Sequence, residues 1–270
     1  MLNFLFWNLQ KKGLNEIIVK IAQKHRFDVL IFTEFNIEPG WILKKLNQRG
    51  VFYDYAVSLG CEKVKIFTKF PRNFIPAVLE TNRLTIRNLK LPGLEDILVA
   101  AVHFPGKPHW DENSQAAEAS RLSDAIKKAE KEIGHSRTVL VGDFNMNPFS
   151  KGVVNANGLH AVMTRQIALQ GKRTVQETDY PFFYNPMWNF FGDADNSPPG
   201  LYYYRGAGHS EYFWHLYDQV LIRPDLLAAF NTSDVKILHS DGNSSFLTAR
   251  GIPNHKDFSD HLPISFKLSL

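Results

Sequence analysis

Cysteine is almost missing from this chain: Cys61 is the only one in 270 residues. No internal disulfide can form, which sets aside the disulfide-rich secreted classes and points to a reducing compartment. Missing too is any window near the roughly 18 apolar residues that span a bilayer. The amino-terminal MLNFLFWNLQKK carries its apolar residues ahead of its lysines, the reverse of a secretory signal, and its apolar stretch is too short for one. A cytoplasmic protein with no membrane association is therefore expected. Charge of one sign is not in large excess either. Lys and Arg number 31 against 27 Asp and Glu, a net +4 with a pI near 9.0. That balance tolerates a polyanionic substrate without demanding one. No internal repeat or low-complexity linker interrupts the chain.

What is present is an ordinary globular composition, 44% hydrophobic and 21% charged, with length enough for one sizeable core. Residues 1–270 are expected to form a single domain of mixed α/β type. The first third alternates strand and helix signals. Residues 2–7 are a β-rich run, 14–26 place Leu14, Ile17, Ile18, Ile21 and Ala22 at helical spacing, and 27–33 are strand-like again. Pro39 opens a short helix in WILKKLNQ, and a strand follows near 51–57. Between 62 and 103 the runs KVKIFTKF, NFIPAVLE, RLTIRNL and DILVAAVHF, separated by Pro, Asn and Gly, read as short antiparallel strands. From Asp111 to Glu132, the positions of Ala116, Ala119, Leu122, Ile126 and Ala129 mark a helix that stops at Gly134. RTVLV is a strand that Pro148 keeps from continuing simply. Residues 151–215, dense in aromatics, Gly and Pro, read as long loops facing the site. YDQVLIRP, DVKILH and LPISFKLSL close the chain as three strands.

Five short polar clusters stand at the ends of apolar runs: Trp7-Asn8, Thr33-Glu34, Val102-His103, Gly142-Asp143-Phe144-Asn145 and Ser259-Asp260-His261. Each is expected to follow a buried strand, with YDQVLI close to the last. Polar residues that recur where core strands end are placed to meet in space. Hydrolysis of a phosphodiester near neutral pH needs a metal to polarise the phosphoryl oxygen, a group to activate water, and donors for the developing equatorial charge. Magnesium takes hard oxygen ligands, one or two carboxylates with several waters. Glu34 suits it, because an acidic side chain ending a buried strand costs desolvation energy unless it is paired or bound to metal. In GDFNMNP, Asp143 can orient or deprotonate the attacking water. Asn145, two residues on and so on the same side of an extended segment, can hold a phosphate oxygen or the metal. Taken alone, Asp-x-Asn serves equally well as a turn. Ser-Asp-His is turn material too, but a buried Asp218 in YDQVLI can accept from an imidazole N–H of His261. That contact would fix the tautomer and raise the pKa, so that His261 donates to phosphate. His103 is a second candidate donor, although a lone His at a strand end is more often structural.

Together, in this order and across the whole chain, Trp7-Asn8, Thr33-Glu34, His103, Gly142-Asp143-Phe144-Asn145, Asp218 and Ser259-Asp260-His261 resemble the endonuclease/exonuclease/phosphatase superfamily. That superfamily includes DNase I-like nucleases, abasic-site endonucleases, inositol-polyphosphate phosphatases and sphingomyelinases. The resemblance implies a four-layer α/β sandwich of two packed mixed or antiparallel sheets flanked by helices. It implies that Asn8 and Glu34 are metal-site residues for Mg or Mn, with Asp260 as a second metal-proximal carboxylate. Asp143 and Asn145 match the pair that positions nucleophile and phosphate. His261 with Asp218 matches a His-Asp pair assigned to acid/base or phosphate-stabilising work, and His103 the second His of the DNase I-like and sphingomyelinase branches. Asp143 and His261 both stay in play as the group that takes the proton from water. The chain departs from the abasic-site branch at Gln10, where that branch usually has Asp, and at His103, where it has Tyr. Thr33 replaces the Gln that often precedes the family's Glu, and the disulfides of secreted DNase I-like enzymes cannot form.

Substrate class is written less clearly. Phe182, Phe183, Tyr184, Trp188, Tyr202, Tyr203, Tyr204 and Arg205, between Tyr180 and Trp214, can stack on bases and hold phosphate in single-stranded or distorted nucleic acid, or can pack the loop onto the sheet. The leading expectation is a magnesium-dependent nuclease whose partner is DNA or RNA. Its competitor is a phosphatase or phosphodiesterase acting on a small phosphorylated molecule or a lipid headgroup. Against the lipid there is no basic amphipathic helix, and against the polymer the net charge is modest. A binding module without chemistry is disfavoured, since no motif position is broken. No residue pattern identifies a protein partner.

Overall fold

The computed structural model of the chain describes residues 1–106, 110–193, 198–209 and 211–270. Positions 194–197 and 210 of the aromatic segment thus lie outside the described residues. In chain order the strands are β1 (Leu2–Asn8), β2 (Val29–Thr33), β3 (Asp54–Tyr55), β4 (Val64–Thr68), β5 (Ala77–Thr81), β6 (Leu84–Leu89), β7 (Ile97–His103) and β8 (Thr138–Asp143). Then come β9 (Ala161–Val162), β10 (Lys172–Val175), β11 (Thr178–Pro181), β12 (Phe183–Tyr184), β13 (Tyr202–Tyr203), β14 (Trp214–His215), β15 (Asp218–Ile222), β16 (Lys236–Ile237) and β17 (Ile264–Leu268). The α-helices are α1 (Asn15–His25), α2 (Pro39–Leu46), α3 (Glu112–Ile133), α4 (Lys151–Val154) and α5 (Arg165–Ala168). One large mixed sheet runs β16-β17-β1-β2-β4-β3 and the other β5-β6-β7-β8-β15-β12-β9, with β10-β11 and β13-β14 as separate ribbons. Helices flank the two sheets, as expected for the four-layer arrangement.

Two crossovers organise the site. β1 and β2 pair in parallel and so need a helix between them, which α1 supplies; it buries Ile18, Val19, Ile21 and Ala22 and stops at Arg26, in left-handed backbone at φ +54°. β7 and β8 also pair in parallel, joined by α3. Asp111 caps α3 by accepting from the Ser114 N–H at 2.7 Å, and Gly134 ends it at φ +85°. The remaining neighbours in both sheets are antiparallel except β9 with β12.

Because side chains alternate along a strand, Val99, Ala101 and His103 share one face with Val139, Val141 and Asp143 of β8 and with Asp218, Val220 and Ile222 of β15. The apolar members of that set join the core shared with the first sheet, while Leu98, Ala100, Val102, Leu140 and Leu221 join the α3 side chains Leu122 and Ile126 in a second core. Each inner row begins as Val or Ile deep in the sandwich and finishes at its mouth as His103, Asp143 or Asp218, directly opposite one another in register.

Some expectations need correction. The strand near 51–57 is reduced to Asp54–Tyr55, because the Asn47 side chain clamps Tyr53 by both its N–H and its carbonyl, at 2.6 and 2.9 Å. The strand in NFIPAVLE starts only at Ala77, after Pro76. Residues 151–215 are not simply site-facing loops. β9 and β12 join the second sheet, and Phe182, Phe183 and Tyr184 are buried at 3%, 0% and 4% exposure, so these three pack and do not stack on a ligand.

Candidate active site

All the polar clusters meet at one edge of the sandwich, for a topological reason. Parallel strands bring their C-terminal ends to that edge, which places Asn8, Glu34, His103 and Asp143 there. Antiparallel strands bring their starts. Asp218 therefore opens β15, and Ser259-Asp260-His261 precedes β17 instead of following a strand as expected.

Asp143 is the hub. Its Oδ2 accepts from Asn8 Nδ2 at 3.0 Å across the sandwich, and its Oδ1 accepts from the Asn145 N–H at 2.8 Å. His103 Nε2 lies 3.7 Å from Asp143 Oδ2 and 3.7 Å from Glu34 Oε1. His261 Nδ1 faces Asp218 Oδ2 at 2.7 Å, and the other Asp218 oxygen is buried without a hydrogen-bond partner among the described residues. Burial pushes the carboxyls of Asp143 and Asp218 up, and each is raised further by another carboxylate nearby. Burial alone would lower His261, but the facing Asp218, with help from Asp143 and Asp260, carries it to about 10. His103 has no such partner on its own row strong enough to offset desolvation, and it is held below its ordinary value. One imidazole is therefore charged near neutrality and the other neutral.

Local backbone explains the geometry. A Cβ at Gly142 would sit 2.1 Å from the carbonyl oxygen of Val102, so only glycine lets β8 run this close to β7 just before Asp143. Asn145 is not on an extended segment: β8 ends at Asp143, and Asn145 adopts φ +50°. Its Nδ2 is spent on the carbonyl of Phe104 at 3.0 Å, while its own carbonyl accepts from Gln115 of α3 at 3.0 Å. Asn145 thus reaches the site through a turn pinned to α3, not through strand alternation. Glu34, at φ +46°, likewise leaves its strand through left-handed backbone. Ser259 ties the two ends of the chain together by donating to the Asn8 carbonyl at 2.6 Å, and Trp7 Nε1 donates to the carbonyl of His261 at 2.8 Å.

These side chains floor a cleft of about 1110 Å³. Glu34, His103, Asp143, Asn145, Asp260 and His261 line it, while Asn8 and Asp218 stand behind as the supports of Asp143 and His261. Three basic side chains, Lys11, Lys63 and Arg83, outnumbering the exposed Glu62 beside Lys63, also line the cleft, together with Tyr202, Tyr204 and Tyr217. Sequence reading missed Lys11, Lys63, Arg83 and Tyr217, whose segments carry no local motif. Tyr202 packs its ring 4.8 Å from that of His261.

The donor set suits a hard divalent cation. Glu34, Asp143 and Asp260 offer carboxylate oxygens, and Asn8 an amide oxygen that also accepts from the Gln10 N–H at 3.0 Å. Among His, Cys, Asp and Glu of the described residues, the group whose ligating atoms lie within 4.8 Å of one another is Asp143, Asp218 and His261. With Nδ1 engaged by Asp218 and its pKa raised, His261 is a poor ligand, and that trio reads as a hydrogen-bonded His261–Asp218 pair with Asp143 beside it.

A family model described as the endonuclease/exonuclease/phosphatase family matches residues 5–261. Among solved structures, an AP endonuclease from Archaeoglobus fulgidus shares the fold with a TM-score of 0.60 over 100% of both chains, at 16% identity. The endonuclease domain of TRAS1, a telomere-specific non-LTR retrotransposon, aligns at 0.55 over 100% of this chain and 99% of its own, with 15% identity. A 3' phosphatase, NExo, from Neisseria and bound to a product DNA hairpin, aligns at 0.56 over 100% of both chains, with 16% identity. At such identities the likeness is one of fold. No curated protein matches the chain.

Proposed function

The chain belongs to the endonuclease/exonuclease/phosphatase family, whose members hydrolyse phosphoric esters, and from that premise we propose that it is a divalent-metal-dependent nuclease acting on DNA or RNA phosphodiesters. The observation that carries this reading is an acidic floor beneath a basic rim. Glu34, Asp143 and Asp260 would repel a phosphate, and Lys11, Lys63 and Arg83 would attract one. A cation on the floor reconciles the two.

Asn8, Glu34 and Asp260 would hold that cation, magnesium or manganese, which when bound polarises the phosphoryl oxygen and offsets the charge of the floor. Asp143 orients the attacking water and accepts its proton, its basicity raised by burial. His261, kept protonated by Asp218, donates to the phosphoryl oxygens. Neutral His103 adds a second donor, and Asn145 fixes Asp143 through its backbone N–H. Residues 1–270 act as one catalytic domain in this reading, supported by Asn8 and His261, from opposite ends of the chain, converging on Asp143 and Asp218. Among the described residues no helix is long and apolar enough to cross a membrane. A cytoplasmic location belongs to the same proposal, supported by the single Cys61, buried and reduced.

The test is hydrolysis of labelled single- and double-stranded DNA and RNA with magnesium or manganese, against EDTA and Asp143→Ala. Cleavage is expected to need both metal and Asp143, with kcat falling by about two to four orders of magnitude in the variant. Metal-dependent turnover of a phosphomonoester or small diester, with every polymer intact, would move the assignment to a small-molecule or headgroup substrate.

A further inference from the structure

Large aromatic side chains left in water are unfavourable, and here several are gathered beside the cleft. Tyr212 is 64% exposed, Tyr204 54%, Phe213 44% and Phe149 37%. They are not scattered. The Phe149 ring lies 5.1 Å from Tyr212 and 5.8 Å from Phe191, and Phe213 stacks on Tyr203 at 6.4 Å. From Tyr212 the contacts run inward: to His215 at 6.3 Å, on to Tyr202 at 6.2 Å, and from Tyr202 to His261 at 4.8 Å. An unbroken series of rings leads from the floor of the cleft to its exposed flank, and Tyr202 and Tyr204 line the cleft itself.

The flank is built, not merely left over. Phe213 sits at φ +62°, backbone that a bulky side chain rarely adopts. The Glu211 carboxylate holds it there, accepting from the N–H groups of Tyr212 at 3.0 Å, Phe213 at 3.2 Å and Gly206 at 3.0 Å. The Tyr204 N–H closes the ribbon by donating to the Phe213 carbonyl at 2.8 Å.

Charge and continuity select the occupant. Lys11, Lys63 and Arg83 line the cleft together with Tyr204, and the exposed Arg205 follows Tyr204 in the chain, so a polyanion drawn to these cations would meet that ring. Bases inside a duplex already have both faces covered and gain nothing from such a surface, whereas each unpaired base gains roughly tenfold or more in affinity by stacking on one aromatic side chain. Resting on the nuclease reading above, we propose that Tyr204, Tyr212 and Phe149 form a stacking platform for unpaired nucleotides flanking the phosphate in the cleft. Single-stranded nucleic acid, or an unpaired end, is then the preferred substrate.

The experiment compares kcat/KM for a labelled single strand, a blunt duplex of the same sequence and bis(p-nitrophenyl) phosphate, in wild type, Tyr204→Ala, Tyr212→Ala and Tyr212→Trp. Wild type is expected to prefer the single strand to the duplex. Each alanine variant is expected to lower the ratio of single-strand to small-diester kcat/KM at least tenfold, and Tyr212→Trp to restore it. If wild type cleaves the polymer and both alanine variants keep the wild-type ratio, or lose single strand and duplex equally, the platform is overturned while the nuclease reading stands. If wild type leaves every polymer intact yet turns over the small diester, the nuclease reading itself has failed and the platform goes with it.

Discussion

His261 is charged chiefly because Asp218 faces it at 2.7 Å, since its own burial works the other way. Asp218→Asn keeps the shape and removes the charge. The variant's imidazole is expected to titrate well below the wild-type value of about 10, followed by NMR of the ring protons. A raised pKa in the folded state stabilises it most below the unfolded value of 6.5, and that contribution fades as pH rises through about 10. The stability that wild-type His261 draws from this pair is thus expected to vanish between those limits, so the wild-type thermal midpoint should fall toward that of His261→Gln across the window. An unchanged gap from pH 7 to 11 would remove the pair from the ledger. At this scale the sequence was most legible where polar side chains meet in the fold: Asn8, Glu34, His103, Asp143, Asp218 and His261 stand out because polar groups at the ends of apolar runs are expensive to bury. Lys11, Lys63 and Arg83 were invisible, because surface cations are common and only the folded chain shows these three sharing a cleft.

Among the elements, β8 sets the tolerance of the site. Placing a methyl group 2.1 Å from the Val102 carbonyl forces β7 and β8 apart at the very step where Asp143 and His103 lie side by side. Gly142→Ala is expected to cost about 1–3 kcal/mol, read as a lowered midpoint in thermal or urea unfolding. It should lower kcat as well, because Asp143 moves with the strand. A variant as stable and as active as wild type would mean that the close approach relaxes at no cost. The strands and helices around β8 were readable from periodicity, since α1, α3 and the buried strands they connect have uniform surroundings along their length. The segment from 151 to 215 was not, for its strands are two to four residues long and its aromatics divide between core and surface by tertiary position alone. Asn145 shows the same limit: alternation placed it beside Asp143, but the strand had already ended and a left-handed turn did the placing.

For the molecule as a whole, two linked equilibria follow from an acidic floor under a basic rim. A divalent cation that binds the folded floor and not the unfolded chain adds about 2.7 kcal/mol of stability at a hundred times its Kd, a rise in thermal midpoint of roughly 5–10 °C for a chain of this size. Magnesium or manganese is expected to produce that rise in wild type and a much smaller one in Glu34→Ala; equal rises would take Glu34 off the ligand set. The rim answers to salt instead. Each phosphate neutralised by a cationic side chain releases counterions, so affinity for a single strand falls with a log–log slope of about −0.7 per contact. With Lys11, Lys63 and Arg83 in the cleft, wild type is expected to show a slope near −2 in a titration of binding against monovalent salt, with calcium in place of magnesium to prevent cleavage. Lys63→Ala or Arg83→Ala should each make it shallower by about 0.7. The net charge of +4 is too small to create such a slope by long-range attraction alone. A flat response would therefore mean that these three side chains do not meet a polymer backbone, and the cleft would have to be filled by a substrate with a single phosphate.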